Sequence, residues 1–192
     1  NTNSPSSLSI ERNASDLALY ALLSQESGIV PIVEPEVMMD GKHTFEKDKE
    51  ITEKVLTVVF EQLTKYRVDM KSMILKPNMV TSGKDCDKQE SSDEIAQATL
   101  EVLEKTVNKD VPGIVFLSGG QTPNQATENL DEINKIKNKN PEKYPWRLTA
   151  SFGRALQGET LEAWKGKEEN IKKAQEVFIT RAEKVYKASH GE

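Results

Sequence analysis

The sequence predicts an α/β fold in which a parallel sheet is covered by helices. Short apolar segments rich in β-branched residues alternate with longer segments whose apolar residues recur every three or four positions. The order is αβαβαβαβα, and buried apolar strands joined by helices are typical of a parallel sheet. A polar or charged residue also follows each strand, as in barrel enzymes, whose active sites lie on that rim.

The first half of the chain contains two helix–strand pairs. Ser4-Pro5 combines an N-cap residue with proline at the first helical position, which predicts a helix start. The apolar residues of segment 14–22 then share one face of that helix. Segment 28–33 is apolar and β-branched, which predicts a buried strand, and segment 51–63 returns to helical spacing. Segment 72–75 is predicted to be the second strand.

The second half repeats the pattern with clearer helix-start signals. The segment from Ser91 to Glu94 has the sequence of a capping box and precedes a helical pattern. Segment 113–117 predicts the third strand, and Thr122-Pro123 starts the next helix. Segment 147–152 predicts the fourth strand. A single long helix, patterned over 171–185, is predicted to follow it.

Composition excludes several classes of function. The chain has 192 residues, is 36% hydrophobic and 30% charged, and carries a net charge of −5. No apolar run approaches the length of a membrane span, and the negative charge argues against general nucleic-acid binding. Cys86 is the only cysteine, so an internal disulfide is impossible and a reducing compartment is expected. His43 and His190 lie far apart without companion ligands, so we expect no metal site.

Two architectures fit this order of elements, the doubly wound sheet and the eight-stranded barrel. The turn after Val33 lacks the G-x-G-x-x-G pattern of dinucleotide-binding folds. Polar groups at every strand end favour the barrel, of which four strands make one half.

Lys76 is the strongest candidate for chemistry. It directly follows an apolar strand, where partial burial disfavours the ammonium form, and a neutral amine is the form that attacks a carbonyl. The alternative is a lysine paired with a buried carboxylate for stability alone. Glu34 and Glu36 lie two residues apart on an extended segment, so both can face one cavity and exchange protons beside the amine. The alternative for this pair is a solvated acidic loop.

Glycine turns follow the third and fourth strands. The segments Ser118-Gly119-Gly120 and Gly153-Arg154 end these strands. Glycines let backbone N–H groups approach an anion, while Ser118 adds a hydroxyl and Arg154 a bidentate positive charge. Because the last two strands of a barrel usually carry its phosphate site, the two turns together indicate a bound phosphate, although either alone is more often an ordinary turn.

Four motifs, which span essentially the whole chain in order, closely resemble class I fructose-bisphosphate aldolase. They are Gly28-Ile-Val-Pro-Ile-Val-Glu-Pro-Glu36, Leu75-Lys-Pro-Asn-Met-Val80, Phe116-Leu-Ser-Gly-Gly-Gln121 and Ser151-Phe-Gly-Arg-Ala-Leu-Gln157. The resemblance implies that residues 1–192 are the C-terminal half of a (β/α)8 TIM barrel, strands 5–8 with their helices. The N-terminal half is then expected to lie outside this chain.

The resemblance also implies a reaction and a set of roles. Lys76 matches the family's Schiff-base lysine, Glu34 its general acid and base, and Glu36 a carboxylate that orients the lysine. Fructose 1,6-bisphosphate is cleaved reversibly to dihydroxyacetone phosphate and glyceraldehyde 3-phosphate, with the iminium as electron sink and no cofactor. The residues that match the family's phosphate contacts are Ser118, Gly119, Gly153 and Arg154, with Ser151 nearby.

The family implies a cytoplasmic enzyme of glycolysis and gluconeogenesis that forms a homotetramer at full length. Because the other half of the barrel contributes site residues, we expect this chain alone to be inactive. The alternative is a non-catalytic interaction module that binds cytoskeletal proteins or adhesin tails, as the family is known to do. A different Schiff-base enzyme, such as a transaldolase, is disfavoured by the paired phosphate motifs.

Overall fold

A computed structural model describes residues 4–192 and contains a parallel sheet of four strands in the order β1-β2-β3-β4. Each strand pairs with the next one along the chain. A doubly wound sheet would reverse its strand order at a switch point, whereas a barrel keeps the order of the sequence. The predicted α/β fold with a half-barrel arrangement is therefore confirmed.

The elements alternate as the sequence predicts up to the fourth strand. Their bounds are α1 Ser7–Glu26, β1 Ile32–Val33, α2 Phe45–Lys65, β2 Ile74–Leu75, α3 Ser92–Thr106, β3 Gly113–Phe116, α4 Pro123–Lys139, β4 Arg147–Ala150, α5 Arg154–Trp164 and α6 Ile171–Ala188, with 3-10 turns at Met70–Ser72 and Glu168–Asn170. The capping box at Ser91 and Glu94 is formed, and Thr122 with Gln125 forms another.

Two predictions about the helices were wrong. The N-cap of α1 is Ser6, whose hydroxyl accepts from the backbone N–H of Ser9, so the helix starts later than Ser4-Pro5 suggested. The C-terminal region contains two helices instead of one, because α5 ends where Lys165 and Gly166 both have positive φ. Ala155 is the only residue that α5 buries, so its apolar pattern was too weak to predict a helix.

The first strand is also shorter than predicted. Only Ile32 and Val33 form β1, while Ile29 and Val30 are 61% and 60% exposed. Among residues 4–192, β1 has a paired neighbour on one side only, which leaves it at the edge of the sheet. Apolar β-branched residues predict a strand, but the hydrogen bonds that define a strand need a second chain segment alongside.

The core lies between the sheet and the helices that follow its strands. Large side chains that are at most 2% exposed come from α2, β2, α3, β3, α4 and the segment before β4: Leu56, Leu63, Leu75, Leu100, Ile114, Phe116, Leu130, Ile133 and Trp146. Because the helices pack closely on the sheet, the segments that connect each strand to the next helix are held in defined positions. Within the described part of the chain, no helix is both long enough and apolar enough to cross a membrane.

Candidate active site

The segments that follow the four strands lie side by side at one edge of the sheet. The Lys76 N–H donates to Val33 O at 2.8 Å, and the Leu117 N–H donates to Pro77 O at 3.1 Å. The Ser151 N–H donates to Phe116 O at 2.8 Å. Parallel pairing therefore brings the predicted chemical groups of all four strands to the same rim.

Lys76 and Glu34 form an ion pair at this rim. The Nζ of Lys76 lies 3.0 Å from Oε1 of Glu34, and the two side chains are 19% and 44% exposed. A carboxylate at this distance can accept the proton that the amine must lose before it attacks a carbonyl. Because the carboxylate is open to solvent, the pair differs from the buried stabilising ion pair that was the alternative interpretation.

Glu36 lies on the side of the rim nearer the third strand. A Cβ placed on Gly119 would lie 4.0 Å from Oε1 of Glu36, so the carboxylate stands beside the glycine turn. Glu34 and Glu36 both line an open cleft of about 930 Å³ between α1, α2 and the segment after β1. The two carboxylates thus share one cavity, as their spacing predicts. Lys76 does not line that cleft and contacts it through Glu34.

The glycine turn and the arginine are in direct contact. Gly119 has a φ of +54°, a left-handed conformation that glycine adopts without strain. The Nη2 of Arg154 donates to the Gly119 carbonyl at 2.8 Å, which holds the guanidinium across the ends of β3 and β4. Gly153 is the N-cap of α5 and provides no side-chain cap, so the first amides of this helix are free to meet an anion. Ser118 is 5% exposed.

A second ion pair over the rim was not predicted. Lys84 contacts the carboxylate of Asp40, and the hydrogen bond and charge of this lysine lower the pKa of Asp40, with a smaller contribution from Arg154. The loops that carry the pair are connected by backbone bonds from Gly83 N–H to His43 O and from Lys84 N–H to Met39 O. A polar loop gives no sign in sequence that it will lie beside Arg154.

A buried aspartate beneath the rim was also missed. Asp48 is 2% exposed, and its carboxylate accepts from Thr81 N–H at 3.1 Å and from the Thr52 hydroxyl at 3.4 Å. Nε2 of His43 lies 3.5 Å from the other carboxylate oxygen. Burial raises the pKa of Asp48 to about 7, against the opposing effect of the two hydrogen bonds. In sequence, Asp48 resembles an ordinary acidic residue in the first turn of a helix.

Comparison with known proteins identifies the family. The sequence model of the glycolytic class-I fructose-bisphosphate aldolase family matches residues 1–192. Cytosolic fructose-bisphosphate aldolase 4 of Arabidopsis thaliana is 48% identical over 98% of this chain and 47% of the relative. The fructose-bisphosphate aldolase of Dictyostelium discoideum is 47% identical over 94% of this chain and 49% of the relative.

A solved structure gives the same result. The aldolase of Plasmodium falciparum, in a ternary crystal with TRAP and a small-molecule inhibitor, superposes with a TM-score of 0.93 and 44% identity. The match covers 97% of this chain and 52% of the Plasmodium chain, so the present chain spans about half the length of its relatives. The chain belongs to the class I fructose-bisphosphate aldolase family.

Proposed function

We propose that this chain provides the Schiff-base half of an aldolase active site that cleaves fructose 1,6-bisphosphate reversibly. In this proposal residues 1–192 are the C-terminal half of one TIM-barrel domain, and the remaining site residues come from the other half of the barrel. The observation that carries the proposal is the position of the Lys76 amine, 3.0 Å from the Glu34 carboxylate on the rim that also bears the glycine turns and Arg154.

Lys76 is the nucleophile of the proposed reaction. Glu34 takes a proton from the ammonium, and the free Nζ attacks the C2 ketone to form a carbinolamine. The same carboxyl group then protonates the departing hydroxyl, so that water leaves and an iminium forms. Glu34, again a carboxylate, then takes the proton of the C4 hydroxyl; as the C3–C4 bond breaks, its electron pair moves into the iminium and gives an enamine of dihydroxyacetone phosphate, while glyceraldehyde 3-phosphate is released. Glu36 orients the lysine from the neighbouring position.

The phosphate groups of the sugar are the second determinant of binding. At the end of β3, Ser118 offers a hydroxyl and Gly119 a backbone amide. At the end of β4, Ser151 offers a hydroxyl, Gly153 a backbone amide and Arg154 a guanidinium. The contact between Arg154 and the Gly119 carbonyl supports this assignment, because it places a positive charge between the two turns. Positive charge and converging amides are the groups that bind a phosphate.

The relatives also bear on the cellular location and assembly of the proposed enzyme. Several are cytosolic or cytoplasmic isozymes, which supports a cytoplasmic location. A homotetramer is proposed on the resemblance to the family. The 192-residue chain alone is expected to be inactive, because four strands leave the amine open on the side where a complete barrel would enclose it.

Trapping the covalent intermediate tests the proposal. The complete protein that contains this sequence is incubated with dihydroxyacetone phosphate and reduced with borohydride. We expect one stable adduct, located on Lys76 by peptide mass spectrometry, and loss of both adduct and cleavage activity in Lys76→Ala. Lys84→Ala, which removes another rim lysine that is paired with a carboxylate, is the matched control and should retain the adduct. An adduct that persists in Lys76→Ala would overturn the assignment.

A second candidate function is an interaction module without catalysis. The observation in its favour is that the Plasmodium falciparum aldolase was crystallised in complex with TRAP. Cytoskeletal partners are the other class proposed for this chain. Lys76→Ala separates the two functions, since a binding surface away from the rim retains its partner in pull-down when cleavage is lost.

A further inference from the structure

Two hydrogen bonds, one on each side of Glu34–Glu36, join this segment to the one that carries Lys76. At one end, the Lys76 N–H donates to Val33 O at 2.8 Å, which is the last backbone bond between the two strand ends. At the other end, the Val37 N–H donates to Oδ1 of Asn78 at 2.9 Å. Glu34, Pro35 and Glu36 lie between these two bonds and form a short arch over Lys76.

The middle of this arch offers few backbone donors. Pro35 occupies the position after Val33 whose N–H would continue the ladder towards the Lys76 segment, and proline has no N–H. Regular strand pairing therefore cannot continue past Val33. The side chain of Asn78 takes over at the point where the backbone ladder stops, because its carbonyl oxygen accepts the N–H of the residue that follows Glu36.

The other side of the Asn78 amide is fixed to α2. Its Nδ2 donates to the Thr52 hydroxyl oxygen at 3.2 Å and to Met79 O at 3.1 Å. The Thr52 hydroxyl donates to Asp48, which also accepts the Thr81 N–H. Asn78 is 8% exposed and Thr52 is 3% exposed, so these bonds are shielded from water. A buried amide bonded on both faces has a defined orientation.

We propose that Asn78 is a positioning residue, which holds the Glu34–Glu36 arch at a fixed distance from Lys76 by linking Val37 to α2. This inference rests on the proposed aldolase function and adds a determinant of its rate. Asn78 does not touch the substrate. It acts through the two carboxylates, whose transfer of protons to and from the amine requires hydrogen-bond distances.

The chemistry of the position explains why an amide is needed. The Val37 N–H requires an acceptor, and the Thr52 oxygen requires a donor, so only a side chain with both groups satisfies the two neighbours. Alanine at this position leaves the Val37 N–H without this acceptor and the Thr52 oxygen without this donor, while the Thr52 hydroxyl keeps its bond to Asp48. Without the bond to Val37, the next bond on that side runs from the Lys84 N–H to Met39 O, two residues farther along, so the carboxylates gain freedom to move away from the amine.

The experiment compares steady-state cleavage of fructose 1,6-bisphosphate by the complete protein and its variants. For Asn78→Ala we expect a fall of about 10- to 100-fold in kcat, with KM changed by less than about twofold, because a small displacement of catalytic groups slows chemistry without removing phosphate contacts. The rate of borohydride trapping on Lys76 should fall in parallel. Thr52→Val should lower kcat by a smaller factor, and Thr52→Ser, which keeps the hydroxyl, should restore it.

Asn134→Ala is the matched control. Asn134 is also a buried asparagine, 3% exposed, whose amide donates to Leu130 O and Ala188 O in the packing of α4 against the end of α6. We expect it to lower the thermal stability of the protein while kcat stays within about twofold of the native value.

The outcomes separate this inference from the proposed function. If the native protein forms no adduct and cleaves no substrate, the proposed function fails. If the native protein is active and folded Asn78→Ala has native kcat, or shows only a raised KM, the positioning role is wrong. Should Asn78→Ala fail to fold, the Thr52 pair decides: equal kcat in Thr52→Val and Thr52→Ser would overturn the inference.

Discussion

The first two strands and the last two strands hold their loops in different ways. β1 and β2 have two residues each, and directly beyond them the two segments are connected by the buried side chain of Asn78. Backbone bonds between the two loops resume only at Met39, which accepts the Lys84 N–H. β3 and β4 have four residues each, and four residue pairs align them. At the ends of β3 and β4, the Ser151 N–H donates to Phe116 O, and Arg154 donates to the Gly119 carbonyl.

This difference matches the chemistry proposed for each side. A phosphate is bound by several amides and a positive charge, so glycine turns on a regular pair of strands are sufficient. Proton transfer between Glu34 and Lys76 needs a short distance between two flexible side chains. Where the strand ladder is too short to set that distance, a buried polar network does so.

The largest expected difference between the two regions is in stability. Phe116 in β3 is fully buried, so Phe116→Ala should lower the free energy of unfolding by about 3–5 kcal/mol. Ile32 in β1 is 44% exposed, and Ile32→Ala should lower it by about 1 kcal/mol or less. Urea denaturation followed by circular dichroism measures both. Equal losses would show that β1 is packed as tightly as β3, contrary to the exposure of its side chains.

The buried network should make stability depend on pH. Because burial raises the pKa of Asp48 from 3.8 to about 7, the folded state holds this proton more tightly than the unfolded state. The penalty for ionising Asp48 is absent below pH 3.8, grows as pH rises towards about 7, and is complete above it. Asp48→Asn keeps an acceptor for Thr81 and Thr52 and removes the penalty.

Asp48→Asn should therefore be more stable than the native protein at pH 8, by up to about 4 kcal/mol at 1.4 kcal/mol for each pKa unit. The gain should shrink as pH is lowered and vanish near pH 4. Urea denaturation at pH 8, 6 and 4.5 measures it, with His43→Gln as a control for the neighbouring imidazole. A gain that stays constant over this range would contradict the assignment of the buried proton to Asp48.

The smallest expected effect concerns the phosphate side. Gly119 has a positive φ, and a Cβ there would lie 3.4 Å from the Leu117 side chain, so Gly119→Ala should lower stability by about 1–2 kcal/mol. Gly158 lies inside α5 with open space around its Cα, and Gly158→Ala is the matched control. It should raise stability by about 0.5–1 kcal/mol. Thermal unfolding of both variants gives the comparison, and a loss in Gly158→Ala would contradict it.

Much of the fold could be predicted from local patterns. The capping box predicted at Ser91 is formed, and the helix predicted to start at Thr122 does so, since a cap is a contact between residues three apart in the chain. Helix α5 was missed because it buries a single residue, and a helix without an apolar stripe leaves no periodic signal. Segment 28–31 was predicted to be a strand on composition, but the N–H groups of Gly28 and Ile29 donate back to the end of α1, and the segment meets β2 at Pro31, whose carbonyl accepts the Ile74 N–H.

The candidate site divides in the same way. Sequence alone determined which residues follow the strands, because parallel strands place their C-terminal ends at one rim, and Lys76, Glu34, Ser118 and Arg154 could be named from that rule. Only the tertiary structure decided which groups meet: Arg154 with Gly119, Asp40 with Lys84, and Asn78 with Val37. Periodicity and capping report contacts within a few residues along the chain. Burial of Asp48 and the closing of the arch depend on segments tens of residues apart, whose approach is set by the packing of helices on the sheet.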